Sequence, residues 1–405
     1  MGKYYELTEA TVIEYVNAKL SYFSDDAEYQ CNEIGDGNLN LVFRIKDIKN
    51  NKSIIVKQAL PYVRAAGSDW PLDVGRGAIE TKILKIEFEL TDGLVPEVYL
   101  FDNEMYCMVM EDLHDYIIMR YGLLNLETYP NFSEQITDFL VKTLLLTSDV
   151  VMDHEEKKAY VKDFINPELC KITEELVYTE PVYVGYRNSM EDFLVDFHQK
   201  ELVEDDELRL EVGKLKFDFM NNAQALLHGD LHTGSIFVNQ KDTKVIDPEF
   251  AFYGPMAYDI GALIANLIMN YLSSDAIVEN EEIKEKHMSY LLTTMGEVID
   301  LFREKSLRLW DEVVTDEMAK IPGFKEWYID EVIINTAGVA GCEMIRRTVG
   351  FAHVKDLDSI PNDEKREAAK KNNILLAKEL IKNRKSFVTG HDYVKLVKKC
   401  KEGEI

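Results

Sequence analysis

Leu227-His228-Gly229-Asp230-Leu231-His232-Thr233-Gly234-Ser235-Ile236-Phe237-Val238, followed by Val245-Ile246-Asp247-Pro248-Glu249-Phe250, is the stretch on which the fold turns. Two short apolar runs, 235–238 and 244–246, predict β-strands, and the polar link 239–243 predicts a tight turn between them. Such a hairpin sets Asp230 just before its first strand and Asp247 just after its second, so both carboxylates face one site. An acid at the mouth of a hairpin can accept or orient a hydroxyl proton. Asp247 and Glu249 form a second acid pair whose hard oxygens suit Mg²⁺. These are the parts of phosphoryl transfer, a reaction carried mostly by positioning and charge neutralisation. The plainer reading is a buried polar turn at His228 and Asp230 with a surface loop at Asp247-Pro248-Glu249. Finding both triplets at hairpin distance favours the functional one.

Upstream, Glu33-Ile34-Gly35-Asp36-Gly37-Asn38-Leu39-Asn40-Leu41 places Gly35 and Gly37 between strand-like runs. Glycine lets a backbone approach a phosphate closely and present its N–H groups. A lone G-x-G suits a plain hairpin turn equally well. Ser53-Ile54-Ile55-Val56-Lys57-Gln58-Ala59 predicts a buried strand carrying one lysine; a strand-edge lysine is the alternative. A helix over 78–88 puts Glu80 on its first turn, as a partner for Lys57 or simply as an acid favoured by the helix dipole. Runs 94–101 and 105–110 predict two more strands, and Glu111-Asp112-Leu113 follows them as a hinge. Residues 8–23 predict an amphipathic helix that Thr8 can cap. Gly67-Ser68-Asp69-Trp70-Pro71-Leu72 is a turn-rich insertion with an exposed-looking tryptophan. These segments make an N-terminal, β-rich lobe over residues 1–113.

Downstream, apolar residues recur at helical spacing over 132–146, 207–227, 258–272, 283–302 and 329–349, and 362–384 predicts a charged amphipathic helix. The segment 150–205 is acidic and mixed, with Pro167 and Pro181 interrupting it. The Lys-rich tail beyond Asp392 predicts fraying. Asp259 serves either as a helix cap or as a brace beneath the loop at 228–234. Arg346 and Arg347 sit in an apolar helix rich in Gly and Ala (Ala337-Gly338-Val339-Ala340-Gly341-Cys342). At least one of them therefore faces protein rather than bulk water and needs a partner. Arginine's planar fork suits sugar hydroxyls and a phosphoryl group. Residues 114–405 thus form a larger, mainly helical lobe, and the fold class is α+β.

Composition narrows the partners. The chain has 405 residues, with 46 Lys and Arg against 73 Asp and Glu, a net charge of −27. That balance argues against nucleic acid and against an anionic membrane surface, both of which want a basic face. Cys31, Cys107, Cys170, Cys342 and Cys400 are widely spaced with no C-x-x-C, which suits the reduced thiols of a cytoplasmic protein. No uninterrupted apolar run approaches the ~20 residues of a membrane span.

The motif H-G-D-L-H-T-G-S-I at 228–236 resembles the catalytic loop of the aminoglycoside-phosphotransferase-like small-molecule kinases. With D-P-E-F-A-F-Y-G-P at 247–255 it is similar to the methylthioribose kinase family in particular. The resemblance runs from the Gly-rich loop to the arginine pair and implies a two-lobed, protein-kinase-like fold. It implies that Gly35, Gly37, Asn38, Asn40 and Lys57 hold the phosphates of ATP, with Glu80 as the helix partner of Lys57. Main-chain groups of Glu111, Asp112 and Leu113 take the adenine, and Asp247, Pro248 and Glu249 stand where protein kinases carry D-F-G. Asp247 and Glu249 would then ligate Mg²⁺, because Ser235 replaces the asparagine that usually serves as second ligand. Asp230 becomes the catalytic acid beside the substrate, with Arg346 and Arg347 binding the sugar, and the Trp70 loop a lid over the nucleotide. The implied reaction is phosphorylation of the 1-hydroxyl of 5-methylthioribose in methionine salvage, by a homodimer. A kinase of another small alcohol (homoserine, choline or an aminoglycoside) and a non-catalytic nucleotide-binding protein of the same fold are the alternatives.

Overall fold

A computed structural model describes residues 4–34, 39–63 and 67–404; Gly35, Gly37 and Asn38 of the expected phosphate loop lie outside them. The first lobe is built on an antiparallel sheet. Its strands are β1 (Tyr29–Glu33), β2 (Asn40–Asp47), β3 (Lys52–Ala59), β6 (Val98–Asp102) and β7 (Cys107–Glu111), in the order β1-β2-β3-β7-β6. A short ribbon, β4 (Tyr62–Val63) with β5 (Gly67–Pro71), projects after β3. Alternation along β2 and β3 sends Phe43, Ile45, Ile54 and Val56 into a small core with Val12 and Val16. The latter belong to α1 (Val12–Lys19), shorter than the expected 8–23 because residues 8–11 form a turn in which the Val12 amide donates to the Thr8 carbonyl. Helix α2 (Arg76–Thr91) packs on the sheet and starts two residues earlier than expected, which moves Glu80 into its second turn.

The second lobe is mainly helical, as expected. Helices α3 (Met119–Leu124), α4 (Phe132–Leu146), α5 (His154–Asp163), α6 (Pro167–Leu176), α7 (Asp192–His198) and α8 (Asp206–Asn221) come first. Pro167 does not interrupt α6 but begins it, at the position where a missing N–H costs nothing. The apolar run after Asn221 does not prolong α8; it forms β9 (Ala225–Leu227), which pairs with β12 (Phe252–Gly254). Between them lies the expected hairpin, β10 (Ile236–Val238) with β11 (Thr243–Val245), and β10 pairs on its other side with β8 (Ile117–Ile118).

The lobe's core is α9 (Ala257–Ile277), crossed by α10 (Glu281–Val313), α11 (Phe324–Val349) and α13 (Asp363–Lys382), with α12 (Lys355–Asp358) against it. By length and composition α9 alone among the described residues could cross a membrane, but 83% of its apolar window is buried inside the protein. Helix α10 outruns its expected end at 302 because Trp310 continues the buried stripe to the next turns. The tail does not fray. It forms α14 (Gly390–Lys401), started by a Thr389–Asp392 capping box and docked through Tyr393, Leu396, Val397 and Cys400.

Candidate active site

The site starts at a bend that only glycine permits. Gly229 has φ +82, and a Cβ there would collide with the Phe250 carbonyl. The buried carboxylate of Asp259 receives the amides of His228 (2.8 Å) and Gly229 (2.9 Å), so it braces the loop and is not the cap of α9. His228 then joins the two acids. Its Nε2 donates to the Ile246 carbonyl (2.8 Å), which leaves Nδ1 bare to accept the Asp230 amide (3.2 Å). One ring thus ties Asp230 to the residue before Asp247. Asp247 itself holds φ +70, a strained backbone for a non-glycine residue and the kind of strain that functional sites keep. The buried Pro248 closes the following turn by accepting the Ala251 amide (3.2 Å).

On one side of this frame lies a cluster of opposed charges. Lys57 on β3 donates to Glu80 of α2 at 2.7 Å and pairs with Asp247. Burial alone would lower the Lys57 pKa, but Asp247, Glu80 and Glu249 outweigh it and keep the ammonium charged. Asn40 does not offer a free side chain to nucleotide. Its amide donates to Glu249 (3.0 Å) and its oxygen accepts from Arg76 (3.0 Å). Arg76 is a residue the sequence reading passed over. It is 4% exposed. It binds the carbonyls of Leu39, Leu60 and Asp73, and its Nε lies 3.6 Å from Glu249. It thereby fixes residues 39–40 against the D-P-E segment. At the hinge, the Asp112 side chain accepts from Arg44 (3.1 Å) and Glu111 lies 3.4 Å from Lys244. Those two side chains are engaged within the protein, and Leu113 is buried.

On the other side, two guanidiniums and an imidazole surround Asp230. Arg346 and Arg347 reach to 3.6 and 3.9 Å from its Oδ1, and His232 Nε2 lies 3.4 Å from Oδ2. Burial pushes the Asp230 carboxyl up, but the imidazole and both guanidiniums hold it well below the usual carboxylate range. Arg347 is buried and Arg346 half-buried, and Glu343, one turn back on α11, is their partner. It accepts from Arg346 Nε at 2.5 Å and from Arg347 Nε at 2.7 Å. Neither Glu343 nor Arg120, whose amide donates to the Thr233 carbonyl (3.0 Å) and whose Nε lies 3.3 Å from Asp356, is legible as a site residue, because each shows itself only through partners on other turns or helices. The Ser235 hydroxyl turns back to His232 Nδ1 (3.3 Å) and so is directed away from a ligand role. Trp70 is half-buried rather than exposed. It lies 6.0 Å from the Phe351 ring, with Arg187 over its face.

The donor set suits Mg²⁺. Three carboxylates (Glu80, Asp247, Glu249) crowd one lysine, and burial together with Asp247 raises the Glu249 pKa. Excess negative charge on hard oxygens is what this cation relieves. Asp247 and Glu249 could offer the one or two carboxylates by which Mg²⁺ is usually held, with phosphate oxygens completing its shell.

Comparison with known proteins places the chain in a family. Residues 165–279 match the model of the APH phosphotransferase enzyme family. The methylthioribose kinase of Geobacillus kaustophilus is 42% identical over 393 residues, 97% of this chain and 96% of that one. That of Bacillus cereus is 44% identical over 379 residues, covering 94% and 93%. A choline kinase from Cryptosporidium parvum has the same fold, with TM-score 0.52 at 13% identity over 95% of this chain and 99% of that one. At such identity over nearly the whole length, the chain belongs to the methylthioribose kinase family.

Proposed function

We propose that the protein transfers the γ-phosphoryl group of ATP to the 1-hydroxyl of 5-methylthioribose, giving ADP and the 1-phosphate, a step of methionine salvage. The observation that carries this reading is the setting of Asp230. It is anchored through His228 to the D-P-E segment on one side and faces the Arg346–Arg347 pair on the other. Lys57, held by Glu80, takes the nucleotide phosphates. Asp247 and Glu249 would hold Mg²⁺, which when bound neutralises phosphate charge. Asp230 orients the acceptor hydroxyl and takes up its proton late, since a carboxylate this acidic is a weak base in the ground state. Arg346 and Arg347 fix the sugar and offset charge on the moving phosphoryl group. Two guanidiniums at the acceptor end disfavour a cationic alcohol.

We also propose a lobe boundary after residue 113, a cytoplasmic location and a homodimer. The five unpaired cysteines fit a reducing compartment. Leu210, Phe217 and Met220, exposed along α8, give a second copy an apolar face. The test of the reaction is ADP production with Mg-ATP against methylthioribose, ribose, homoserine, choline and kanamycin. Turnover on methylthioribose far above ribose supports the reading. Turnover only on another acceptor discards it.

A further inference from the structure

Beside Asp230 stands an imidazole that the transfer itself does not consume. His232 is only 15% exposed in its side chain, and its two ring nitrogens have different partners. The Gly234 amide donates to Nδ1 across 3.0 Å. A backbone N–H can only donate, so Nδ1 carries no proton, and neither the imidazolium nor the Nδ1–H tautomer fits here. The ring's single proton is therefore on Nε2, 3.4 Å from Asp230 Oδ2. The surroundings enforce the same state. Burial lowers the His232 pKa; Asp230 opposes this, and the Arg120 and Arg347 charges add to it.

The ring is also clamped in place. Arg120 reaches Asn266 of α9 (2.8 Å) and Asp356 of α12 (3.3 Å), while its own amide donates to the Thr233 carbonyl (3.0 Å). A Cβ on Gly234 would lie 2.8 Å from His232 Cε1 and 3.0 Å from Arg120 Nη1. Glycine at 234 thus lets ring and guanidinium close on the loop.

We propose that His232 is a positioning residue for phosphoryl transfer: locked as the Nε2–H tautomer by the Gly234 amide, it holds Asp230 Oδ2 and leaves Oδ1 to the acceptor. This rests on Asp230 as the catalytic acid. The attraction it opposes is visible in the structure, since Arg346 and Arg347 stand 3.6 and 3.9 Å from Oδ1, short of close ion pairs. Without the imidazole the carboxylate swings onto the guanidiniums and loses its alignment with the hydroxyl. A displacement of about 1 Å is worth roughly 10²-fold in rate. Glutamine can place an amide N–H near the Nε2 position and alanine cannot.

Nitrogen-15 NMR of the full-length protein at pH 7, with His232 identified by the signal lost in His232→Gln, reads the tautomer directly. A protonated Nε2 and a bare Nδ1 are expected; an imidazolium or a protonated Nδ1 overturns the proposal, whatever the acceptor proves to be. Steady-state kinetics with the acceptor that wild type uses supply the second arm. His232→Ala should lower kcat by roughly 10²-fold with the KM for ATP unchanged, and His232→Gln should recover most of that loss. Near-wild-type kcat in His232→Ala, equal loss in both variants, or a matching rise in the KM for ATP contradicts a positioning role.

Discussion

Glu343→Gln should destabilise the protein by about 3 kcal/mol at neutral pH and loosen the acceptor site at the same time. Glu343 is 2% exposed and accepts from Arg346 and Arg347 at 2.5 and 2.7 Å. Burial pushes its carboxyl up, but the guanidiniums outweigh burial and hold it at about 2, against an ordinary 4.5. A pKa lowered by that much on folding is worth about 3 kcal/mol to the native state, at 1.36 kcal/mol per pH unit. Because the folded value lies below the unfolded one, this stability is full above pH 4.5 and is lost as the pH falls toward about 2. Glutamine stands in for the protonated acid, so the variant's deficit should be full at pH 7 and shrink below pH 4.5. The freed arginines should also close on Asp230 Oδ1 and raise the KM for methylthioribose. Paired unfolding curves at pH 7, 5.5 and 4, with acceptor kinetics at pH 7, make the test. A deficit under about 1 kcal/mol at pH 7, or one that grows on acidification, would refute the reasoning.

Lys57→Met should weaken ATP binding and cut kcat/KM by roughly 10²-fold or more, since it removes the one ammonium among Glu80, Asp247 and Glu249. Kinetics with ATP varied decide this, and wild-type values would remove Lys57 from the site. Asp259→Asn offers one acceptor oxygen where two amides now bind and should cost about 1–3 kcal/mol, read by thermal unfolding. An unchanged midpoint would mean that the loop stands without its brace. Gly229→Ala adds a Cβ against the Phe250 carbonyl at φ +82 and should lower both soluble yield and activity; wild-type behaviour would show that the bend tolerates a side chain.

The sequence shows what is local. Helix α4 falls on 132–146 because its apolar residues keep one unbroken period, and the 235–246 hairpin follows from two apolar runs and a polar link. Boundaries drift where an apolar run changes structure without changing composition, as where α8 yields to β9 near residue 222. The last helix is hidden in the sequence because its lysines mask Tyr393, Leu396, Val397 and Cys400, whose helical spacing alone does not reveal the surface that receives them. Within the site, motif residues and the arginine pair were legible from short-range pattern and resemblance. Arg76 was not, because the oxygens it binds belong to residues 39, 40, 60, 73 and 249, which only the folded chain brings together. His232 is hidden for a different reason. Its meaning rests on which ring nitrogen the Gly234 amide occupies, and a one-dimensional pattern carries no such geometry.

The central claim is that Asp230 directs the acceptor hydroxyl while the Lys57 cluster binds nucleotide independently. Phosphorus NMR of Mg-ATP and methylthioribose, run with wild type and with Asp230→Ala, tests it most directly. Wild type should form a new phosphate ester coupled to the anomeric proton, and Asp230→Ala should form it ~10²-fold more slowly or less while keeping its ATP-dependent thermal shift. Ester formation by Asp230→Ala at near the wild-type rate would contradict the account.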